Sequence, residues 1–269
     1  MAMRLQLDMP VHLRRVYRLF RVTLHVIWGV LLVITVSSLE NPSHWDRTIS
    51  RWSARFLRIL GVRLTVTSGS QEIERALLVA NHISWLDIFV IHAARRVHFV
   101  SKSEVRHWPI AGWLAWKSGT LFIERAKRGD TVRINEEMRS MLEQGGWVAL
   151  FPEGTTSDGR QVHRFMPSLL QPAVDLALPI IPAALSYRHP DGGHCDSASY
   201  IDQMSITESL WRIAGEPAIH AHIEFGVAQS GSDRRSLAMA AQNEVARMLG
   251  VSPMGTQPGR AGGPQDVVP

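Results

Sequence analysis

Cysteine is almost missing from this chain. Cys195 stands alone among 269 residues, which excludes an internal disulfide and any zinc cluster built on several thiolates. A single thiol fits a reducing compartment. Nucleotide signatures are missing as well: neither a Walker A sequence nor Gly-x-Gly-x-x-Gly occurs. Nucleotide phosphoryl transfer and dinucleotide redox chemistry therefore lack support. No Gly-x-Ser-x-Gly elbow is found, and the cysteine belongs to no nucleophile motif, so a covalent mechanism has no visible carrier. Collagen periods, sustained heptads and internal repeats are absent, and a single long uncharged run excludes a polytopic membrane protein. What is present suffices for a packed core, with 45% apolar and 20% charged residues. The length suits one sizeable domain or two small ones. Lysine plus arginine exceed the acids by 29 − 24 = +5, with an isoelectric point near 10.0. Such an excess favours phosphates, nucleic acid or acidic lipid surfaces as partners.

The first sixty residues differ from the rest. Val22 to Leu39 carries no Lys, Arg, Asp or Glu. As a helix it would reach about 27 Å, just short of a ~30 Å hydrocarbon layer. Arg14, Arg15, Arg18 and Arg21 precede it, and Arg47, Arg51, Arg55 and Arg58 follow it. Basic residues on both flanks give the positive-inside rule nothing to choose between. A re-entrant or interfacial anchor with both ends on the cytoplasmic side explains this most simply. A signal peptide and a buried core helix remain as alternatives. Over Trp45 to Leu60 the four arginines form one helical stripe, with Ile49, Trp52, Phe56, Ile59 and Leu60 on the other side. That pattern suits a helix lying in an anionic headgroup layer. An ordinary surface helix packed on a core would read the same way.

From about residue 61, short apolar runs alternate with helical stretches. Ala76–Ala80, Val97–Val100, Thr120–Ile123, Trp147–Phe151, Ile180–Leu185 and Ile219–Phe225 read as strands. Trp85–Ala94, Trp108–Lys117 and Thr131–Gln144 read as helices. The expectation is an α/β domain over residues 61–250, with a mostly buried mixed sheet flanked by helices. Residues 1–60 are expected to be membrane-anchoring helices, and 251–269 a disordered Gly/Pro-rich tail.

The sharpest local feature is Asn81-His82-Ile83-Ser84-Trp85-Leu86-Asp87, where a strand stops and a helix begins. On one continuous helix, positions five apart would lie about 140° from each other. His82 and Asp87 meet only if His82 lies on the turn and Asp87 in the first helical turn, with Ser84 as a plausible N-cap. The carboxylate then fixes the imidazole tautomer and leaves the other nitrogen as a base. Such a base can take a proton from an alcohol attacking an activated carbonyl. Taken alone, His-x4-Asp is also compatible with a purely structural histidine. Gly119-Thr120-Leu121-Phe122-Ile123-Glu124-Arg125 ends a strand with a planar guanidinium suited to phosphate. Phe151-Pro152-Glu153-Gly154-Thr155-Thr156-Ser157 leaves another strand end, with Gly154 allowing close backbone approach and its amide able to face an oxyanion. His82, Arg125 and Glu153 all fall at strand carboxyl ends, where α/β sheets collect their ligands.

Taken together these blocks resemble the 1-acylglycerol-3-phosphate O-acyltransferase family. The blocks are Asn81-His82 with Asp87, Gly119 to Arg125, Phe151 to Thr155, and Ile180-Ile181-Pro182, joined by Lys102, Pro109 and Gly112. The similarity spans roughly residues 60 to 190. It implies the glycerolipid acyltransferase fold, with His82 as general base and Asp87 orienting it. Arg125 would bind the acceptor phosphate, Gly119, Glu153, Gly154 and Thr155 would belong to the acceptor site, and Lys102 would hold the acceptor or polarise a thioester. It also implies an acyl-CoA or acyl-acyl carrier protein donor, a lysolipid acceptor among membrane lipids, no metal or other cofactor, and no nucleic-acid partner. The leading expectation is conversion of 1-acylglycerol-3-phosphate to phosphatidate at the cytoplasmic face of a membrane. The other readings are acylation of lyso-ornithine lipid and a non-catalytic protein that binds anionic lipid.

One departure stands out. The family usually has Arg after Glu-Gly-Thr, and here Thr156 takes that place. Arg160 and Arg164 are the nearest substitutes. Relatives that acylate lyso-ornithine lipid, which lacks the phosphate, resemble this Glu-Gly-Thr-Thr-Ser-Asp-Gly stretch. Outside the blocks, His189, His194, Cys195 and Asp196 form a weak metal candidate with irregular spacing. His220 and His222 read as polar residues of a half-exposed strand.

Overall fold

Ala76-Leu77-Leu78-Val79-Ala80 has no polar face to offer solvent, and it forms a fully buried central strand. The computed structural model of the chain describes residues 9–36, 42–68, 73–124 and 128–254. Two helices come first, α1 (Val11–Val36) and α2 (Pro42–Ile59). Then follow β1 (Val62–Ser68), β2 (Ala76–Ala80), α3 (Leu86–Ala94) and β3 (His98–Lys102). The middle holds α4 (Ser103–Arg106), α5 (Ala111–Lys117), β4 (Leu121–Ile123), α6 (Arg128–Glu143) and β5 (Trp147–Leu150). Last come α7 (Gln171–Asp175), β6 (Ile180–Arg188), α8 (Ile206–Gly215), β7 (Ile219–Phe225) and α9 (Arg234–Leu249).

The strands make one seven-stranded sheet in the order β1-β7-β6-β2-β5-β3-β4. Every pairing is parallel except β6 with β7. The sheet is therefore mixed, as expected. Alternation along β2 divides the core into two layers. Leu78 and Ala80 join Leu57, Leu60, Leu86 and Val90 on one side. Leu77 and Val79 join Ile134, Met138, Leu142, Ala241 and Val245 on the other. Each fully buried Leu, Ile, Val or Met side chain here contributes about 1.5–3 kcal/mol. Pro182 is accommodated because the β6–β7 ladder begins only at Ala183.

The N-terminal helices depart from expectation in one respect. The apolar side of α2 faces protein rather than lipid: Phe56, Leu57, Ile59 and Leu60 are buried in the same core as the sheet. The change at residue 60 is thus one of composition, and the hydrophobic core runs across it. Arg47, Arg51, Arg55 and Arg58 form the exposed side of α2. The exposed apolar stripe belongs to α1 instead, with Leu13, Phe20, Leu24, Ile27, Leu31 and Ile34 turned outward over about 31 Å. Val11–Thr35 is long and apolar enough to cross a membrane by length and composition, its most apolar 18-residue stretch having a mean hydropathy of 1.6 and 28% of its residues buried. These properties are consistent with membrane association.

The opposite face of α1 is clamped to the body. Arg14 donates through Nε and Nη2 to Gly215 O at 3.1 and 2.8 Å. Arg18 donates to Glu216 O at 2.6 Å and Pro217 O at 3.1 Å. Both guanidiniums thus satisfy carbonyls at and just beyond the end of α8, where no helical N–H can reach and where positive charge is favoured. His25 and Trp52 tie α1 to α2 by reciprocal bonds, each ring nitrogen meeting the other's carbonyl at 3.0 and 3.2 Å. At the far end, residues 251–254 of the expected tail are bonded to the body. Pro253 bridges Val162, and Met254 N donates to Val162 O at 2.8 Å; the rest of the expected tail, 255–269, lies outside the described residues.

Candidate active site

Strand β2 ends at Ala80, and the chain must turn before α3 begins. Asn81 fastens the turn to the neighbouring strand. Its amide donates to Leu185 O at 3.0 Å and its carbonyl accepts from Leu185 N at 2.8 Å. His82 follows on the turn, and Asp87 lies in the first turn of α3. The two side chains meet, with His82 Nδ1 2.8 Å from Asp87 Oδ2.

Asp87 is fully buried and its carboxylate is a hub. Oδ2 also accepts from the backbone amides of Ile83 at 2.7 Å and Ser84 at 2.9 Å. Oδ1 accepts from the hydroxyl of Tyr187 at 2.6 Å. Ser84 is consequently not the N-cap: Trp85 holds that position with no side-chain cap. The carboxylate of Asp87 instead reaches back to the amides of Ile83 and Ser84, ahead of the helix. Tyr187 was not foreseen. Burial, and then the charge of Asp87, push its phenol well above the usual value, so it remains a donor at neutral pH.

The imidazole lies flat on Phe151, with ring centroids 3.9 Å apart and planes 6° from parallel. Its backbone carbonyl accepts from Ser157 N at 2.8 Å. Among the described residues Nε2 has no hydrogen-bond partner, and the side chain keeps 20% of its surface exposed. Held this way, the ring has one nitrogen committed to a carboxylate and the other open to a proton.

Glu153 lies just past β5, the strand beside β2. It is buried, with Oε1 accepting from His163 N at 3.3 Å and Oε2 lacking a partner. Burial pushes its carboxyl up to about 8, aided by the charge of Asp87 and opposed by the amides of His163 and His82. A neutral carboxylic acid beside the His–Asp pair can donate as well as accept. Gly154 has φ +76°, and its amide closes a turn onto Phe151 O at 3.1 Å. The amide expected to face an oxyanion is therefore engaged by that turn. Thr155 is exposed beside it.

The remaining expected residues divide. Lys102 ends β3, exposed, at the same carboxyl end of the parallel strands as His82 and Glu153. Gly119 lies at the other end, before β4, so the fold does not bring it to the histidine. Its φ of +82° and the 2.5 Å from its ideal Cβ position to His98 Nδ1 explain the glycine structurally. Arg125 lies outside the described residues, one position past Glu124 at the carboxyl end of β4. Arg160 is held by Asp196 at 2.8 Å and Asp158 at 3.6 Å, and Thr156 Oγ1 donates to Tyr200 O. His194 pairs with Asp196 at 3.1 Å, and His222 bonds Thr67 Oγ1 at 2.8 Å.

The fold and site define an α/β protein whose mixed sheet carries a histidine–aspartate pair at the carboxyl end of its central strand. Comparison with known proteins narrows the class. Residues 62–186 match the family model described as Acyltransferase. The lyso-ornithine lipid O-acyltransferase of Pseudomonas aeruginosa is 36% identical over 257 residues, covering 93% of this chain and 98% of that protein. The 1-acyl-sn-glycerol-3-phosphate acyltransferase of Neisseria meningitidis is 32% identical over 185 residues, covering 68% and 72%. The crystal structure of the 1-acyl-sn-glycerophosphate acyltransferase PlsC from Thermotoga maritima shares the fold, with a TM-score of 0.66 at 21% identity over 88% of this chain and 94% of that one. The chain belongs to the PlsC-like acyltransferase family and is an acyltransferase.

Proposed function

We propose that this acyltransferase moves an acyl chain from a thioester, acyl-CoA or acyl-acyl carrier protein, onto the hydroxyl of a lysolipid, with lyso-ornithine lipid as the acceptor. The observation that supports the chemistry best is the His82 Nδ1 contact of 2.8 Å with an Asp87 carboxylate that three other donors hold still. Nε2 takes the proton of the acceptor hydroxyl as its oxygen attacks the thioester carbonyl. Asp87 stabilises the imidazolium that forms. The tetrahedral adduct collapses by expelling the thiolate, which the imidazolium protonates. Glu153, neutral near pH 7, offers its unpartnered oxygen to the acceptor.

The choice of acceptor rests on the segment after Glu153. Where relatives that bind phosphate carry arginine, Thr156 is bonded to Tyr200, and the nearby Arg160 is held by two aspartates. Similarities to proteins of Pseudomonas aeruginosa and Brucella abortus, covering 93% and 78% of this chain, are to lyso-ornithine lipid O-acyltransferases. A zwitterionic headgroup fits this site better than a phosphate monoester. The reaction takes place at the cytoplasmic surface of a membrane. The outward stripe of α1 supplies apolar contact there. Clefts of about 300 and 500 Å³ beside α2 are lined by Arg21, Arg51, Arg55, Arg58 and Trp28, a basic lining suited to acidic headgroups.

The test is a side-by-side assay with one radiolabelled thioester and two acceptors, lyso-ornithine lipid and 1-acylglycerol-3-phosphate. Labelled diacyl product should form from the first, and His82→Ala should abolish it while vesicle binding persists. Faster transfer to the phosphate acceptor would overturn the choice of headgroup. Near-normal turnover in His82→Ala would overturn the mechanism.

A further inference from the structure

Behind the active site, the loop after β6 and the end of α8 bring together three side chains the acyl-transfer reading does not use. His189 Nδ1 lies 3.5 Å from Glu216 Oε2. Cys195 Sγ completes a trio whose ligand atoms all lie within 4.8 Å of one another. The residues come from separate places in the chain and are each held in position. The loop 189–194 folds back on itself, His189 N bonding Gly193 O at 2.7 Å, and Cys195 N then meets Tyr187 O at 3.1 Å. Ser197 Oγ donates to the other oxygen of Glu216 at 2.6 Å. The amide of Ala198 donates to the backbone carbonyl of Cys195 at 3.1 Å. Cys195 itself is fully buried among Tyr187, Ala198 and Ile213, whereas His189 and Glu216 keep 33% and 18% of their side chains exposed.

We propose that His189, Cys195 and Glu216 form a binding site for a zinc-like divalent cation, which clips the β6 loop to the end of α8. Nitrogen, thiolate sulfur and carboxylate oxygen are the three ligand types zinc accepts, and three protein ligands leave the fourth tetrahedral position to water on the exposed side. Two light ligand atoms at 2.0–2.2 Å on a tetrahedral ion lie about 3.4 Å apart, close to the 3.5 Å between His189 and Glu216. The sulfur lies within 4.8 Å of both, and metal binding would draw it closer. One thiolate and one carboxylate neutralise a divalent ion. The serine hydroxyl on the carboxylate is an outer contact of the kind that orients such ligands. Binding displaces the thiol proton, which leaves to solvent, and no redox step is involved. The site is structural: it lies where the carbonyls of residues 214–217 receive Arg14 and Arg18 from α1.

The experiment uses the full-length chain in detergent, purified without a polyhistidine tag. Metal-free protein is titrated with Co²⁺, followed by the near-ultraviolet thiolate-to-cobalt absorption, and with Zn²⁺, followed by melting temperature. One equivalent of Co²⁺ should bind with that absorption, and Cys195→Ser should lose it. His189→Gln and Glu216→Gln, at partly exposed positions, should each weaken binding at least tenfold, which keeps the test valid if Cys195→Ser does not fold. Zinc should raise the melting temperature of the wild type and not of His189→Gln. No uptake of either metal by the wild type, or uptake unchanged in both glutamine variants, overturns the proposal.

Discussion

Replacing Asp87 by asparagine tests the centre of the proposed chemistry with almost no change of shape. The carboxylate accepts four hydrogen bonds, three at Oδ2 and one at Oδ1. An asparagine keeps its single acceptor oxygen on the Oδ2 side, where His82, Ile83 and Ser84 still find it, and turns its amide toward Tyr187. The geometry of His82 survives, and the negative charge does not. Opposite unit charges about 4 Å apart attract by about 4 kcal/mol at an effective dielectric of about 20. That attraction is realised only when the imidazole is charged, during proton transfer, so its loss falls on the transition state. Allowing for the hydrogen bonds that remain, the barrier rises by about 3–4 kcal/mol, and kcat falls about 10²- to 10³-fold. Continuous measurement of thiol release from acyl-CoA, with saturating lysolipid, reads this directly, and KM for the thioester should stay within threefold. A folded Asp87→Asn enzyme within tenfold of wild-type kcat would refute the reasoning.

Tyr187→Phe removes one donor from the buried carboxylate, which weakens its fixation by about 1–3 kcal/mol; kcat should fall about tenfold with KM unchanged, and a wild-type kcat would show that the hydroxyl does not position Asp87. Glu153 has its carboxyl raised from 4.5 to about 8, so its contribution to stability is whole below about pH 4.5 and drains away as pH rises through 8. Glu153→Gln should therefore lose less stability than wild type between pH 5 and 8.5 in chemical denaturation, and parallel curves would count against a buried neutral acid. Gly119→Ala places a methyl against His98 at a positive φ; about 2 kcal/mol should be lost, roughly 4–8 °C in melting temperature, and an unchanged melt would contradict the packing.

Much of the central sheet was legible, because β2 and β5 are short and apolar on both faces and β7 alternates apolar with polar residues. β2, β5 and β7 appear within a residue of the expected spans, since Gly, Asn and charged residues mark their ends. β1 was harder to read: its outer residues alternate Arg and Thr with Leu and Val, and only pairing with β7 makes it a strand. α9 was likewise passed over, although Asp233 caps it and Gly250 ends it. The meeting of His82 with Asp87 followed from spacing plus a turn, because only a strand-to-helix break lets two positions five apart converge. Tyr187 is a hundred residues away in sequence, and what joins it to Asp87 is the register of β6 against β2. One clue was available: with Leu185 and Ala183 it occupies alternate positions of a strand, so it had to share their face. The side of α2 that packs inward could not be told from one that meets lipid, since both require Trp and Phe at helical intervals.

The clamp of Arg14 and Arg18 on the last carbonyls of α8 has a bearing on how a lipid reaches His82. A helix pinned to the catalytic body at one end, and bonded through His25 and Trp52 near its middle, cannot swivel as a tether would. With its outer stripe set in a bilayer, the imidazole hangs at a constant height and tilt over the lipid surface. On the proposed mechanism the enzyme then acts as a depth gauge: a hydroxyl that floats at that level reacts, and one lodged higher or lower has to be drawn to it.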